Sequence, residues 1–165
     1  MSDDNAAVSR DHEPDPARLV ADAGVLAADL LVDGASRAVL DVVRSHSWLE
    51  LVATEALLDE AAAVVRSLAD RSLADDWRTQ VDDLAVVVDQ PPGDRPALAA
   101  AYRGNAAGIV TLDERLRSAE AGANLRGLFE VSVRSPDAFL AVVDPAVLYE
   151  LAFDGPYPGP DAESR

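Results

Sequence analysis

The chain has 165 residues, enough for one domain with a real hydrophobic core and too few for two full ones. Its 30 acidic residues outweigh 14 basic ones, all of them arginine, for a formal net charge of -16, a balance wrong for a standard nucleic-acid binder. With no cysteine and only His12 and His46 as histidines, disulfides, thiolate nucleophiles, sulfur-ligated metals and histidine-rich zinc sites are excluded.

Residues 1–16 carry no hydrophobic periodicity and read as a disordered acidic lead. Leu19, Val20 and Ala21 suit a short buried strand, followed by a turn at Asp22–Gly24 and a short helix over 25–31. Residues 35–45 place Ala38, Val39, Val42 and Val43 at helical spacing. A second strand is predicted over 48–53. Thr54 then caps a long helix with the stripe Leu57, Leu58, Ala61, Val64, Val65 and Leu68. A further helix fits 72–82, and the aliphatic run 84–89 is a third strand, ended by Pro91, Pro92 and Gly93. Asp94 can cap a helix over 95–103, with Pro96 in its first turn. Residues 108–111 make a fourth strand, and a short helix from Glu114 closes at Gly122. A fifth strand is predicted over 128–133. Ser135 and Pro136 open a helix, and a last short helix runs over 145–152.

Short strands, aliphatic on both faces and separated by helices, predict an α/β protein. The expectation is a three-layer α/β/α sandwich with a central parallel sheet of four or five strands. The domain spans 17–153, and 154–165 form a flexible tail. No apolar run is long enough for a spanning helix, and the acidic opening is wrong for a secretory signal, so the expected location is cytoplasmic. The acidity itself has two explanations, a partner-directed surface or adaptation to molar salt. The acids spread along the whole chain, which favours salt, where repulsion between carboxylates is screened.

Acids at strand and helix junctions carry the candidate chemistry. Asp22 directly follows the first strand, and Asp113 comes two residues after the fourth. Asp94 heads the helix after the third strand, and Glu60 lies in the helix after the second, beside the competing Asp59. In an open α/β sheet, ligands bind at the carboxyl edge of the strands. Grouped carboxylates repel unless a cation or a shared proton compensates. An all-oxygen donor set favours Mg²⁺ or Mn²⁺. Each acid also has a plain structural use, as a turn residue, a cap or a solvated helix residue.

The stretches LVADAGVLAADLLVDGASRAVLDVV (19–43), LELVATEALLDEAAAVV (49–65), DRPALAAAYRGNAAGIVTLDERL (94–116) and VSVRSPDAFLAVV (131–143) resemble, in that order, the blocks of a PIN domain. PIN domains are small α/β metal-dependent ribonucleases, and the acidic composition suggests a haloarchaeal member. The resemblance covers about residues 18–143. It places the family's four acids on Asp22, Glu60, Asp94 and Asp113, and its site hydroxyl on Thr111. It implies a metal-dependent endoribonuclease that cuts single-stranded RNA with Mg²⁺ or Mn²⁺ and without a covalent nucleophile. It also implies a homodimer, for which the Ala-rich helix over 56–69 allows close packing, and an antitoxin-like protein partner.

Arg37, Arg95, Arg103, Arg115 and Arg117 flank the acid-bearing segments and are the candidate phosphate contacts. Trp48 and Trp77 suit core packing better than base stacking. Two other classes compete. One is a catalytically inactive PIN-like interaction protein, or a subunit of an RNA-processing assembly. The other, a phosphatase-like hydrolase, lacks both the D-x-D after the first strand and the lysine it usually needs.

Overall fold

A computed structural model describes residues 14–90, 95–117, 131–163 and 165. Its strands are β1 (Asp15–Ala21), β2 (Glu50–Thr54), β3 (Ala85–Val88), β4 (Ala106–Val110) and β5 (Ser132–Arg134). They form one sheet in the order β3-β2-β1-β4-β5, with every neighbouring pair parallel. Parallel neighbours need crossover connections, and helices supply them. α1 (Ala23–Leu31) and α2 (Ala35–Arg44) link β1 to β2, and α3 (Glu55–Leu68) and α4 (Arg71–Leu84) link β2 to β3. α5 (Pro96–Arg103) precedes β4, α6 (Glu114–Arg117) follows it, and α7 (Pro136–Val142) and α8 (Pro145–Ala152) follow β5. The architecture is the expected three-layer sandwich, with five strands.

The aliphatic runs are explained by burial on both faces of the sheet. Leu19, Val20 and Ala21 of β1 and Leu51, Val52 and Ala53 of β2 all lie in the main core. α5 crosses β1, β2 and β4 and presents Ala97, Ala100 and Ala101, which lets its backbone come close to the sheet. Gly104, its C-cap, comes closest of all. A Cβ there would overlap Val52 Cγ1 and sit 2.9 Å from the Ala100 carbonyl oxygen. The opposite face carries Leu19, Gly108 and Ser132, which line a slot of about 310 Å³ under α7 and α8.

Side-chain caps set most helix starts. Asp22, Thr54, Asp70, Ser135 and Asp144 each accept a hydrogen bond from a first-turn N–H. The cap at Asp22 starts α1 at Ala23, so the expected turn over 22–24 is replaced by helix and Gly24 lies inside it. Arg95, not Asp94, is the N-cap of α5 and makes no side-chain cap; Asp94 lies outside the described residues. So do Gly122 and the first residues of the strand expected over 128–133, of which Ser132 and Val133 are described in β5. The buried stripe of α3 ends at Val65, leaving Leu68 72% exposed.

At the two ends the chain is tied in beyond the expected domain limits. Asp15 already belongs to β1, and its N–H donates to the Asn105 carbonyl at 2.8 Å. Asn105 sits at φ 55°, a left-handed turn that asparagine tolerates, between α5 and β4. After α8, Tyr157 reaches back to the α2–β2 loop. His46 Nδ1 lies 2.8 Å from the Val42 carbonyl, which can only accept, so the proton is on Nδ1. Nε2 lies 2.6 Å from the Tyr157 hydroxyl and shares a hydrogen bond with it. Trp48, Tyr149 and Phe153 complete this aromatic cluster with edge-to-face contacts. Arg165 donates to the carbonyls of Val43, His46 and Leu49, which ties the last turn of α2 to the loop that follows it.

The contact at Gly104 gives a direct test of how closely α5 packs. Gly104→Ala is expected to lower the unfolding free energy by about 1–3 kcal/mol, because the methyl group must displace Val52 or the Ala100 backbone. Chemical denaturation in high salt measures it.

Candidate functional site

The order of the strands locates the site. From β1 the chain steps outward to β2 and β3, then returns to lay β4 on the other side of β1. The crevice between the carboxyl ends of β1 and β4 is therefore the point where the winding reverses, the usual ligand position in such sheets. Leu19 pairs with Leu51, Ala21 with Val110 and Val110 with Arg134. Carrying that register one step past β1 places Thr54, Asp22, Thr111 and Ser135 in a single row along this edge. These four members of the row are polar, because there the chain leaves the sheet for a helix or loop and open N–H groups need acceptors, whereas Val88 of β3, which pairs with Thr54, is apolar.

Asp22 and Thr111 meet across the crevice. Asp22 Oδ1 accepts the Ala23 N–H at 2.9 Å, and Oδ2 accepts the Thr111 hydroxyl at 2.7 Å. Thr111 Oγ1 in turn accepts the Asp113 N–H at 3.0 Å, and Asp113 Oδ1 accepts the Arg115 N–H at 2.9 Å. Thr111 is fully buried, Asp22 is half-buried, and Asp113 is exposed. The threonine thus donates to one acid and accepts from the backbone of the other, so it ties the two segments together. Leu112, 52% exposed, lies over Gly24 at the same lip.

The neighbouring strand repeats this device. Thr54, also fully buried, accepts the Leu57 N–H at 3.1 Å and donates to Gln90 Oε1 at 2.7 Å. Gln90 follows β3, and nothing local in the sequence marks it. The available signal was a threonine closing each of two aliphatic strands just before a helix.

The remaining expected residues are placed differently. Glu60 is exposed on α3, six residues and about 9 Å along the helix axis from Thr54. Its rival Asp59 is occupied by Arg78 at 2.5 Å, which also pairs with Glu55 and Asp82. Partial burial disfavours the charged guanidinium of Arg78, but hydrogen bonds to Asp59 and Asp82 outweigh it and raise its pKa. Arg37 donates to the carbonyls of Asp29 and Leu30 and closes the end of α1. Arg103 and Arg117 are exposed in the last turns of α5 and α6, and Arg95 is exposed ahead of α5. Trp77 is 5% exposed in the core, and Trp48 sits in the aromatic cluster.

All donors at the crevice are oxygen, which suits a hard divalent cation. Among the described residues, no group of three or more aspartates, glutamates or histidines is close enough to hold one ion. Asp22 and Asp113 both sit at this edge, and Mg²⁺ commonly takes one or two protein carboxylates and keeps several waters.

Residues 13–165 match a family of unknown function (DUF7384), and the chain belongs to that family. No curated protein and no solved structure matches the chain.

The role of the buried hydroxyl is open to measurement. Thr111→Val is expected to cost about 1.5–3 kcal/mol of stability, since Asp22 loses a charge-assisted hydrogen bond and the Asp113 N–H loses its acceptor. Thr111→Ser should recover most of that loss. Denaturation midpoints of the two variants decide it.

Proposed function

We propose that this member of the DUF7384 family is a metal-dependent endoribonuclease that hydrolyses phosphodiester bonds in single-stranded RNA, acting from the crevice between β1 and β4. The observation that carries the reading is the Asp22–Thr111–Asp113 chain of hydrogen bonds at the winding reversal of a five-stranded parallel sheet. That architecture is compatible with a PIN-like fold, and the resemblance in sequence supplies the reaction class.

In this reading Asp22 and Asp113 hold Mg²⁺ or Mn²⁺, with Asp94 and Glu60 as the further carboxylates that the resemblance assigns. When bound, the ion would make water a nucleophile near neutral pH and offset charge on the phosphoryl oxygens. The residues of the chain do the positioning. The Thr111 proton holds one oxygen of Asp22 and the Ala23 N–H holds the other, so the carboxylate cannot rotate away from the crevice. The backbone of Asp113 is held by the same hydroxyl, which sets the two acids at a constant separation. Arg95, Arg103 and Arg117, exposed beside the acid-bearing segments, would meet phosphates. Molar salt would screen repulsion between RNA and a chain of charge -16. The homodimer and the antitoxin-like partner belong to the same resemblance.

One observation favours a second reading, an inactive PIN-like interaction protein or a subunit of an RNA-processing assembly. Among the described residues no group of three or more acids or histidines gathers to hold an ion.

A Mn²⁺ titration of the wild type, Asp22→Asn and Asp113→Asn at about 2 M KCl separates the readings when followed by cleavage of a labelled single-stranded RNA. Each substitution should weaken Mn²⁺ binding by about tenfold or more and abolish most cleavage. The fold should survive, because an asparagine side chain in place of Asp22 can still cap α1. Asp33→Asn and Asp76→Asn should leave both readouts unchanged. Equal Mn²⁺ affinity in all proteins would remove the site. Binding without cleavage would leave the site and favour the interaction protein.

A further inference from the structure

We propose that the slot between the sheet and α7–α8 binds a small amphiphilic carboxylate, an alkyl chain with a carboxylate head. This goes beyond the crevice and uses none of its acids.

The slot follows from one row of the sheet. Leu19 pairs with Gly108 and Gly108 with Ser132, so the three stand side by side on β1, β4 and β5. The middle residue has no side chain. A Cβ there would come within 3.3 Å of Leu19 Cδ1 and 3.5 Å of Ser132 Oγ, so glycine leaves a trough at this row. Phe139 of α7 and Leu148 and Leu151 of α8 line its other side without filling it. The space that remains is about 310 Å³, at the lower end of the range for small-molecule sites. Leu19, Leu49 and Ile109 also line it, and each is 5% exposed or less. The Ser132 hydroxyl is satisfied, since it donates to the Ala107 carbonyl at 3.3 Å. Such a lining selects an apolar body.

Charge selects the head. Among the described residues the lining holds no acid, in a chain that has 30 of them. It holds two arginines. Arg18 is engaged elsewhere: Nη1 donates to the Gly104 carbonyl at 2.9 Å, and Nε lies 3.2 Å from the Glu50 carboxylate. Arg134 is exposed, and its guanidinium has no hydrogen bond or ion pair among the described residues. It lies two residues beyond Ser132, hence on the same face of β5, and marks the carboxyl end of the slot. At the other end is Ala107, three residues before Val110, the strand partner of Arg134. Those three residues of strand span about 10 Å, the length of an extended chain of about eight carbons. A guanidinium suits a carboxylate because its paired N–H groups match the two oxygens. The head would stay hydrated at Arg134 while the tail leaves water. An inorganic anion would meet the same arginine and leave the slot unfilled.

Octanoate is the probe, titrated into the isotope-labelled full chain at about 0.5 M KCl and followed by amide and methyl shifts. Saturable shifts should centre on 107–109 and 132–134 and on the methyl groups of Leu19, Ile109 and Leu148. From butanoate through hexanoate to octanoate, affinity should rise by about two- to fourfold per methylene, because each one leaves water. Arg134→Gln, which alters an exposed side chain, should weaken octanoate by about threefold or more and leave neutral octan-1-ol unchanged. Arg66→Gln, an exposed arginine of α3, should change neither. Absence of shifts at the slot, shifts centred elsewhere, or affinity that does not depend on chain length would overturn the proposal. Equal octanoate affinity in the wild type and Arg134→Gln, or an equal loss for octan-1-ol, would overturn it too, because the head would then have no cation to meet.

Discussion

A threonine hydroxyl has one proton to donate and lone pairs to accept with, and at Thr111 both are used on carboxylate-bearing residues. The proton goes to Asp22, at the end of the central strand, and a lone pair takes the backbone of Asp113. Because Thr111 is fully buried, these bonds face little competition from water and are strengthened by the charge on Asp22. The bond crosses between β1 and β4, the two strands between which the winding reverses, and so locks together the two halves of the sheet at their carboxyl edge. Asp22 also caps α1, which makes one carboxylate responsible for both a helix start and a candidate ligand position. The crevice therefore depends on the fold of α1 and β4 as closely as the fold depends on the crevice.

The sheet can bring those strand ends together because its packing is thin. Alanines on α5 and the glycine at its C-cap let that helix sit directly on β1, β2 and β4. Larger residues would lift the helix and slacken the register that aligns Asp22 with Thr111. At the other end of the chain, Tyr157 and Arg165 anchor the last segment to the loop between α2 and β2. That loop leads straight into β2 and so to the second threonine of the edge, Thr54.

Local signals were legible in the sequence and long-range ones were not. Asp113 is visible in the sequence as an acid two residues after an aliphatic strand, and Thr111 through the resemblance to a PIN domain; the structure sets both at the crevice. Asp22 is equally visible as an acid after a strand, although its capping bond starts α1 at once where the sequence predicts a turn. The Thr54–Gln90 pair spans 36 residues and needs the knowledge that β2 and β3 are neighbours. Glu60 shows the limit of spacing arguments, since its place in a helix fixes a distance along the axis and leaves the direction of the side chain open. The tail was hidden for a different reason. Its glycines and prolines suggest flexibility, and the contacts that hold it, from Tyr157 to His46 and from Arg165 to Val43, lie more than a hundred residues away in sequence.

The central claim is that a divalent cation belongs at the Asp22–Asp113 crevice and not in the general acidic field of a chain with 30 carboxylates. Paramagnetic broadening by substoichiometric Mn²⁺ in the amide spectrum of the isotope-labelled chain, recorded in high salt, tests it most directly. Broadening should begin at the amides of Ala23, Leu112 and Asp113 and spread outward from them. Broadening that begins instead along the acidic faces of α3 and α4, at residues such as Asp59, Asp75 and Asp82, would contradict it.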